Sequence, residues 1–204
     1  MMVGPPESDD ELLVRIRSGD EEAFLGLYRR RQGAIYRFVM HMSGSAVVAE
    51  DITQDVFLAL LRDGCGYDPA RGTLSGYLFG IARKLLLRHM DRGRVNVPLE
   101  TGGDDVVLPE LAVVQDPLDD LTQRERTEAL RRAVVTLPQR YREVVVLCDL
   151  EEVDYADAAV ALGCPIGTVR SRLHRARALL LEKLQRERPR RDSVKALNPA
   201  RVLI

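Results

Sequence analysis

The stretch from Gly163 to Arg191 carries nine basic residues against two acidic ones, and all nine are arginine except Lys183. A run of guanidinium groups is chemistry for phosphates and for guanine edges, both of which arginine meets with paired hydrogen bonds. Placed on a helix at about 100° per residue, Val169, Leu173, Ala176 and Leu180 gather within about 60° of one another as an apolar face. Gly167, Arg170, Ser171, His174, Arg175 and Ala178 fall opposite. That outward face is basic near its start and carries small residues that admit close approach. Arg170 and Arg175 can reach guanine edges or phosphates, and Ser171 and His174 can donate to either. Arg172 lies beside the buried stripe, a structural position. The plain alternative is a solvated helix that touches nothing; the single sign of the charge favours DNA over it.

Two further stripes have usable chemistry. Asp51, Gln54, Asp55, Leu58 and Arg62 follow the pattern i, i+3, i+4, i+7, i+11 on one helix face. Acids around one apolar residue suit a basic helical partner, steered by charge and anchored by burial, although pattern alone leaves an ordinary solvated face equally open. Thr73, Tyr77, Gly80, Lys84 and Arg88, spaced four, three, four and four, place an aromatic ring above two bases. That combination stacks on unpaired bases and neutralises their phosphates, yet Tyr77 taken alone also reads as a core residue. The chain has no phosphate loop, nucleophile constellation or carboxylate pair in a recognisable pocket, so no catalytic residue is expected. Cys65, Cys148 and Cys164 are odd in number and widely spaced, and His41, His89 and His174 make no cluster with them. No disulfide framework, metal site or cofactor is therefore expected, and the thiols read as small buried apolar groups.

The elements that must position these stripes are helical throughout. Ser18-Gly19-Asp20 is a turn whose aspartate can cap the next helix. Phe24, Leu27, Tyr28, Ala34, Ile35, Phe38, Val39 and Met42 then recur at helical spacing. Ser43-Gly44-Ser45 breaks that run, and a second helix carries Val48, Ile52, Val56, Phe57 and Leu60. Gly64 to Gly72, with Pro69, predicts a loop, and a long helix follows from about Leu74 to Arg92, its apolar face made by Leu74, Leu78, Ile81, Ala82 and Leu85. Further on, Tyr155 to Leu162 predicts a short helix, Gly163 a turn, and Pro165 the first turn of the arginine-rich helix. Helix, tight turn, helix is the architecture that sets a second helix in the major groove. No alternating strand pattern of useful length occurs. The expected fold is all-α, two small helical domains, an N-terminal helical bundle over residues 10–94 and a C-terminal helix-turn-helix over 121–184, joined by a flexible acidic linker over 95–120. Residues 185–204 are expected to be a disordered tail.

Charge supports that division. Met1 to Asp10 has three acids and no base, and Glu11 to Arg94 has thirteen bases and ten acids, net +3. Val95 to Asp120 has seven acids and no base, and Leu121 to Ile204 has seventeen bases and eleven acids, net +6. The overall charge of −1 thus conceals two basic blocks around an acidic connector and does not argue against nucleic acid. No apolar run approaches the eighteen or so residues of a membrane span, and the acidic N-terminus lacks the basic flank and apolar core of a signal peptide. A cytoplasmic location without membrane insertion is expected.

GTVRSRLHRAR at Gly167 to Arg177, with the leucine-proline-x-x-x-arginine stretch at Leu137 to Arg142, resembles the fourth conserved region of the sigma-70 family, most closely its extracytoplasmic-function (ECF) group. AEDITQDVFLALLR at Ala49 to Arg62 and RGTLSGYLFGIARKLLLRHMDR at Arg71 to Arg92 resemble the polymerase-binding and promoter-melting helices of the same family's second region. The resemblance implies an ECF-type sigma factor, which binds core RNA polymerase and directs promoter-specific transcription initiation. It implies that Asp51, Gln54, Asp55, Leu58 and Arg62 dock on the clamp helices of the polymerase's largest subunit. Thr73, Tyr77, Lys84 and Arg88 would hold flipped bases of the minus-ten element, with the Gly64 to Gly72 loop assisting. Thr168, Arg170, Ser171, His174 and Arg175 would read the minus-35 element. Promoter DNA, both duplex and single-stranded, is thus an implied partner, and an anti-sigma factor is a further one. The acidic connector either threads the polymerase cleft or is only a soluble tether. Three departures concern promoter preference and local packing: Tyr77 stands where the family usually has tryptophan, Lys84 where asparagine is common, and Asp157-Ala158-Ala159 where glutamate-isoleucine-alanine is usual. A stand-alone helix-turn-helix regulator with an N-terminal sensing or dimerising module is the alternative, and the two N-terminal strings count against it.

Overall fold

The helix ends follow from local chemistry in a computed structural model that describes residues 7–63, 66–95 and 127–187. Helix α1, Asp9–Arg17, opens on a capping box: the Ser8 side chain accepts from Glu11 N–H while the Glu11 carboxylate accepts from Ser8 N–H at 2.7 Å. Asp20 caps α2, Glu21–Ser43, as its sequence position predicts, accepting from Ala23 N–H at 3.1 Å. Gly44 ends α2 in the left-handed region at φ 72°, a conformation that glycine enters without penalty. Helix α3 spans Ala46–Asp63 and α4 spans Leu74–Val95. Within the segment predicted as a loop, Asp68 caps one 3₁₀ turn, Pro69–Arg71; Gly64 and Cys65 lie outside the described residues. Among those residues there are helices and no strands, in agreement with the all-α expectation.

The second set comprises α5 (127–135), α6 (Gln139–Val145), α7 (Tyr155–Leu162) and α8 (Ile166–Glu187). Helix α6 widens into a π-helical turn at Val146–Leu150, where Glu151 N–H bonds to Val146 C=O at 2.9 Å. Asp154 caps α7, and Gly163 ends it at φ 62°. Pro165 stands just before α8, and its carbonyl accepts from Thr168 and Val169 N–H, so it serves as the boundary rather than the first helical residue. Helix α8 continues through Glu187, past Gln185, where the disordered tail was expected to begin. An i,i+4 pair between Glu182 and Arg186, at 2.5 Å, supports that last turn. The acidic linker lies outside the described residues except for Val95, which is the last residue of α4, and so does the rest of the tail.

Phe38, Phe57, Leu27, Ile35, Leu78 and Leu86 fill the centre of the first four helices. Val144, Leu147, Val169, Leu173 and Ala176 fill the second set. Each large apolar side chain so buried contributes about 1.5–3 kcal/mol. The two groups merge into one continuous apolar core, a junction that the linker-separated picture did not foresee. Leu173→Ala, at a position 2% exposed, should lower the unfolding free energy by about 2–5 kcal/mol in urea titration. Leu181→Ala on the same helix, 60% exposed, should change it by less than about 0.5 kcal/mol.

Candidate nucleic-acid interface

Three stripes were expected to act, and the structure treats them differently. On α3, Ile52, Val56 and Leu60 are buried, while Asp51, Gln54, Asp55, Leu58 and Arg62 are all exposed. The acidic face with one apolar residue therefore exists as an accessible surface.

On α8, Val169, Leu173, Ala176 and Leu180 are buried, as their angles require, and Arg170, Ser171, His174 and Arg175 are exposed. Thr168 is half-buried at the start of the helix, and Arg172 is also half-buried. The Arg170 guanidinium lies 5.8 Å from the Tyr155 ring centroid, a cation–π contact that pre-orients it. The Ser171 hydroxyl donates to Thr168 C=O at 3.0 Å, so its free capacity is as an acceptor. Arg175 reaches back to the Tyr141 phenol and holds it below its ordinary pKa. Arg177 is bound to Asp149 at 2.5 Å, a pairing that raises its pKa and ties α8 to the end of the π turn.

The α4 stripe is where the outcome departs most from a free surface. Thr73 caps α4, its hydroxyl accepting from Gly76 N–H at 3.3 Å. Thr73 N–H donates to Asp157 Oδ1 at 3.0 Å, and the Thr73 hydroxyl donates to Asp157 Oδ2. Asp157, on α7, is only 7% exposed. Tyr77 is half-buried and tilts against Tyr67, ring centroids 5.6 Å apart. Lys84 and Arg88 are exposed. They line a groove of about 540 Å³ whose opposite wall is Val160, Ala161 and Gly163. Thr73 is exposed although its N–H and hydroxyl are engaged by Asp157, and the half-buried Tyr77 lines the same groove as Lys84 and Arg88.

Helix α7 approaches α4 because neither helix carries bulk where they meet. A Cβ on Gly76 would stand 3.1 Å from the Asp157 Cα and carbonyl oxygen, and one on Gly80 would stand 3.6 Å from the Ala161 Cα. Ion pairs surround this contact. Arg83 meets the buried Glu143 at 2.9 Å, and Arg37 meets Glu151 at 2.6 Å. Burial pushes the Glu151 carboxyl up and the facing Arg37 opposes the shift. Arg142 donates to Met42 C=O at 3.2 Å and to Leu137 C=O at 3.2 Å, while its buried Nε has no hydrogen-bond partner; desolvation lowers its pKa. The sequence reading missed Arg37, Arg83, Glu143, Glu151 and Asp157. Gly76 and Gly80 were the available signal, since glycine inside a helix costs about 1 kcal/mol against alanine and calls for a packing reason. Cys148 and Cys164 are half-buried rather than fully buried, and burial pushes the Cys148 thiol up to about 11.

Comparison with known proteins decides what these faces belong to. The family model for sigma-70 region 2 matches residues 27–95, and that for sigma-70 region 4 matches residues 127–180. The chain belongs to the sigma-70 family. Its relatives place it in the ECF group. It is 33% identical over 187 residues to the ECF RNA polymerase sigma factor SigE of Mycolicibacterium smegmatis, covering 89% of this chain and 70% of the relative. It is 27% identical over 178 residues to the ECF sigma factor SigW of Bacillus subtilis, covering 85% and 95%. Among solved structures, RpoE of Bartonella quintana in complex with the anti-sigma factor NepR aligns at TM-score 0.61 and 27% identity, over 81% of this chain and 98% of that one. CnrH in complex with the cytosolic domain of CnrY aligns at TM-score 0.66, over 89% and 99%, and at 23% identity bears on the fold alone. This sigma factor thus directs promoter-specific initiation of transcription with RNA polymerase. No helix among the described residues is long and apolar enough to cross a membrane.

The packing of Tyr77 changes how its role must be tested. Tyr77→Ala removes the ring that covers Tyr67 and should lower stability by about 1–3 kcal/mol. Tyr77→Phe should cost less than about 1 kcal/mol, both read by urea denaturation.

Proposed function

We propose that the α3 face of Asp51, Gln54, Asp55, Leu58 and Arg62 docks core RNA polymerase. Thr73, Tyr77, Lys84 and Arg88 engage the unpaired minus-ten strand, and Thr168, Arg170, Ser171, His174 and Arg175 read the minus-35 duplex. The observation that carries this is the separation of each face from its own core: on both α3 and α8 the apolar residues are buried and the intervening polar ones exposed. On α4, an aromatic ring followed at seven and eleven residues by Lys84 and Arg88 offers stacking and phosphate neutralisation. Stacking returns about 1–3 kcal/mol per base against an unstacking cost of a few kcal/mol per step. Catalysis belongs to the polymerase, and this chain acts in the cytoplasm as its specificity subunit. An anti-sigma factor is the expected inhibitor, since the relative RpoE was solved bound to one.

The decisive experiment is transcription from a genomic promoter library by core polymerase with and without this chain. Asp51→Arg with Asp55→Arg should abolish core binding while circular dichroism stays normal, because both residues are exposed; undiminished core binding removes the docking face. Arg170→Ala and His174→Ala should each cost about 1–3 kcal/mol at particular base pairs of a randomised upstream element. A uniform loss with a shallower salt dependence reassigns them to phosphate contacts.

A further inference from the structure

Two consecutive aspartates on α1 tie that helix to the segment around the start of α4. Asp9, with only 11% of its side chain exposed, pairs with Arg30 at 2.8 Å and Arg31 at 2.5 Å, and Arg31 extends to the Ser75 hydroxyl at 3.4 Å. Asp10 accepts a hydrogen bond from the Tyr67 hydroxyl at 2.7 Å. We propose that Asp10 is a positioning residue for the minus-ten strand: through Tyr67 it sets the ring of Tyr77 on which an unpaired base stacks. Helix α1 lies ahead of residues 27–95, the part matched to sigma-70 region 2, and the proposal brings it into promoter recognition. It rests on the assignment of Tyr77 to that strand.

The path from Asp10 to Tyr77 is short. Tyr67 is 7% exposed, and burying its hydroxyl is costly without an acceptor. Asp10 provides that acceptor as a carboxylate, the stronger kind of partner. Burial, and then the facing Asp10, push the Tyr67 phenol above its ordinary pKa, so it stays a donor. The Tyr67 ring in turn tilts at 49° against Tyr77, with centroids 5.6 Å apart. A Cβ on Gly66 would stand 3.1 Å from the Tyr77 hydroxyl oxygen, so the loop also closes on the far end of that ring. Tyr77 is thus backed by Tyr67 and Gly66, while the groove it lines leads to Lys84 and Arg88. A base stacked from the groove side has its phosphates within reach of those two cations.

A bond this far from the base acts through order. A ring free to turn loses conformational freedom when a base stacks on it, whereas a ring already held loses little. The Asp10–Tyr67 bond joins residues 57 apart in the chain. It is more than a staple for α1, because the ring it fixes is the one in contact with Tyr77.

The test uses holoenzyme, assembled from core polymerase and the full chain, with a promoter recovered from the genomic library. Fluorescence anisotropy follows two probes: a single-stranded oligonucleotide carrying the minus-ten strand, and a duplex carrying only the upstream element. Asp10→Ala and Tyr67→Phe should each weaken single-strand binding about fivefold, the worth of one hydrogen bond, and leave upstream-duplex binding unchanged. Asp10 is exposed and Tyr67→Phe removes a single oxygen, so both variants should fold. The double variant should lose no more than either single one, because both remove the same bond. Asp10→Asn keeps an acceptor and should restore most of the affinity. Wild-type single-strand affinity in both single variants, additive losses, Asp10→Asn as weak as Asp10→Ala, or equal losses on the two probes would each overturn the positioning role. Tyr77→Leu separates that role from the assignment beneath it. If Tyr77→Leu weakens single-strand binding while Asp10→Ala and Tyr67→Phe do not, only the positioning role falls. If Tyr77→Leu binds the single strand as the wild type does, the assignment of Tyr77 falls, and the proposal with it.

Discussion

The close approach of α4 and α7 organises this molecule. Gly76 and Gly80 on one helix, opposite Asp157 and Ala161 on the other, let two backbones meet with almost no side chain between them. That contact sets where α8 lies, because Gly163 turns the chain directly from α7 into α8. It also decides which part of α4 is accessible. A Cβ at Gly76 would press on the Asp157 backbone at 3.1 Å, whereas the 3.6 Å from Gly80 to Ala161 is ordinary contact distance.

The buried acids at this junction show how such contacts balance. Glu143 and Asp157 are almost fully buried, and a buried carboxylate is tolerable only when it is paired or hydrogen-bonded. Arg83 and Thr73 supply those partners from the other helical set. Glu143 also accepts from Gln139 Nε2 of its own helix at 3.4 Å, so the contact with the other set adds to its partners rather than supplying all of them. Separating the two sets returns both groups to water, which solvates them well, so the net preference for the closed arrangement is modest even though the individual bonds are short.

What could be read from the sequence was whatever repeats along a single helix. The buried faces of α3 and α8 were legible from spacing, as were the cap at Asp20 and the break at Ser43-Gly44-Ser45, because each depends on residues within a turn or two. The turn at Gly163 was legible for the same reason. The partner of each face was not. Periodicity says that Gly80 and Tyr77 share a side of α4, but it does not say that this side meets α7, about eighty residues further along the chain. Asp157 was visible only as a departure from the resembled family's usual glutamate, and its bonds to Thr73 depend on a tertiary contact. The widening of α6 into a π-helical turn, which carries Glu151 to Arg37, has no local sequence signal that spacing rules would detect.

Covalent connection gives these few bonds their weight. The chain between residues 95 and 127 keeps α4 and α7 on one molecule, so their encounter is governed by an effective local concentration rather than by the amount of protein in the cell. For short connections that concentration is on the order of millimolar. An interface too weak to hold two separate proteins at ordinary abundance can then still form within a single chain. Dilution does not loosen it, because both partners are carried on one chain.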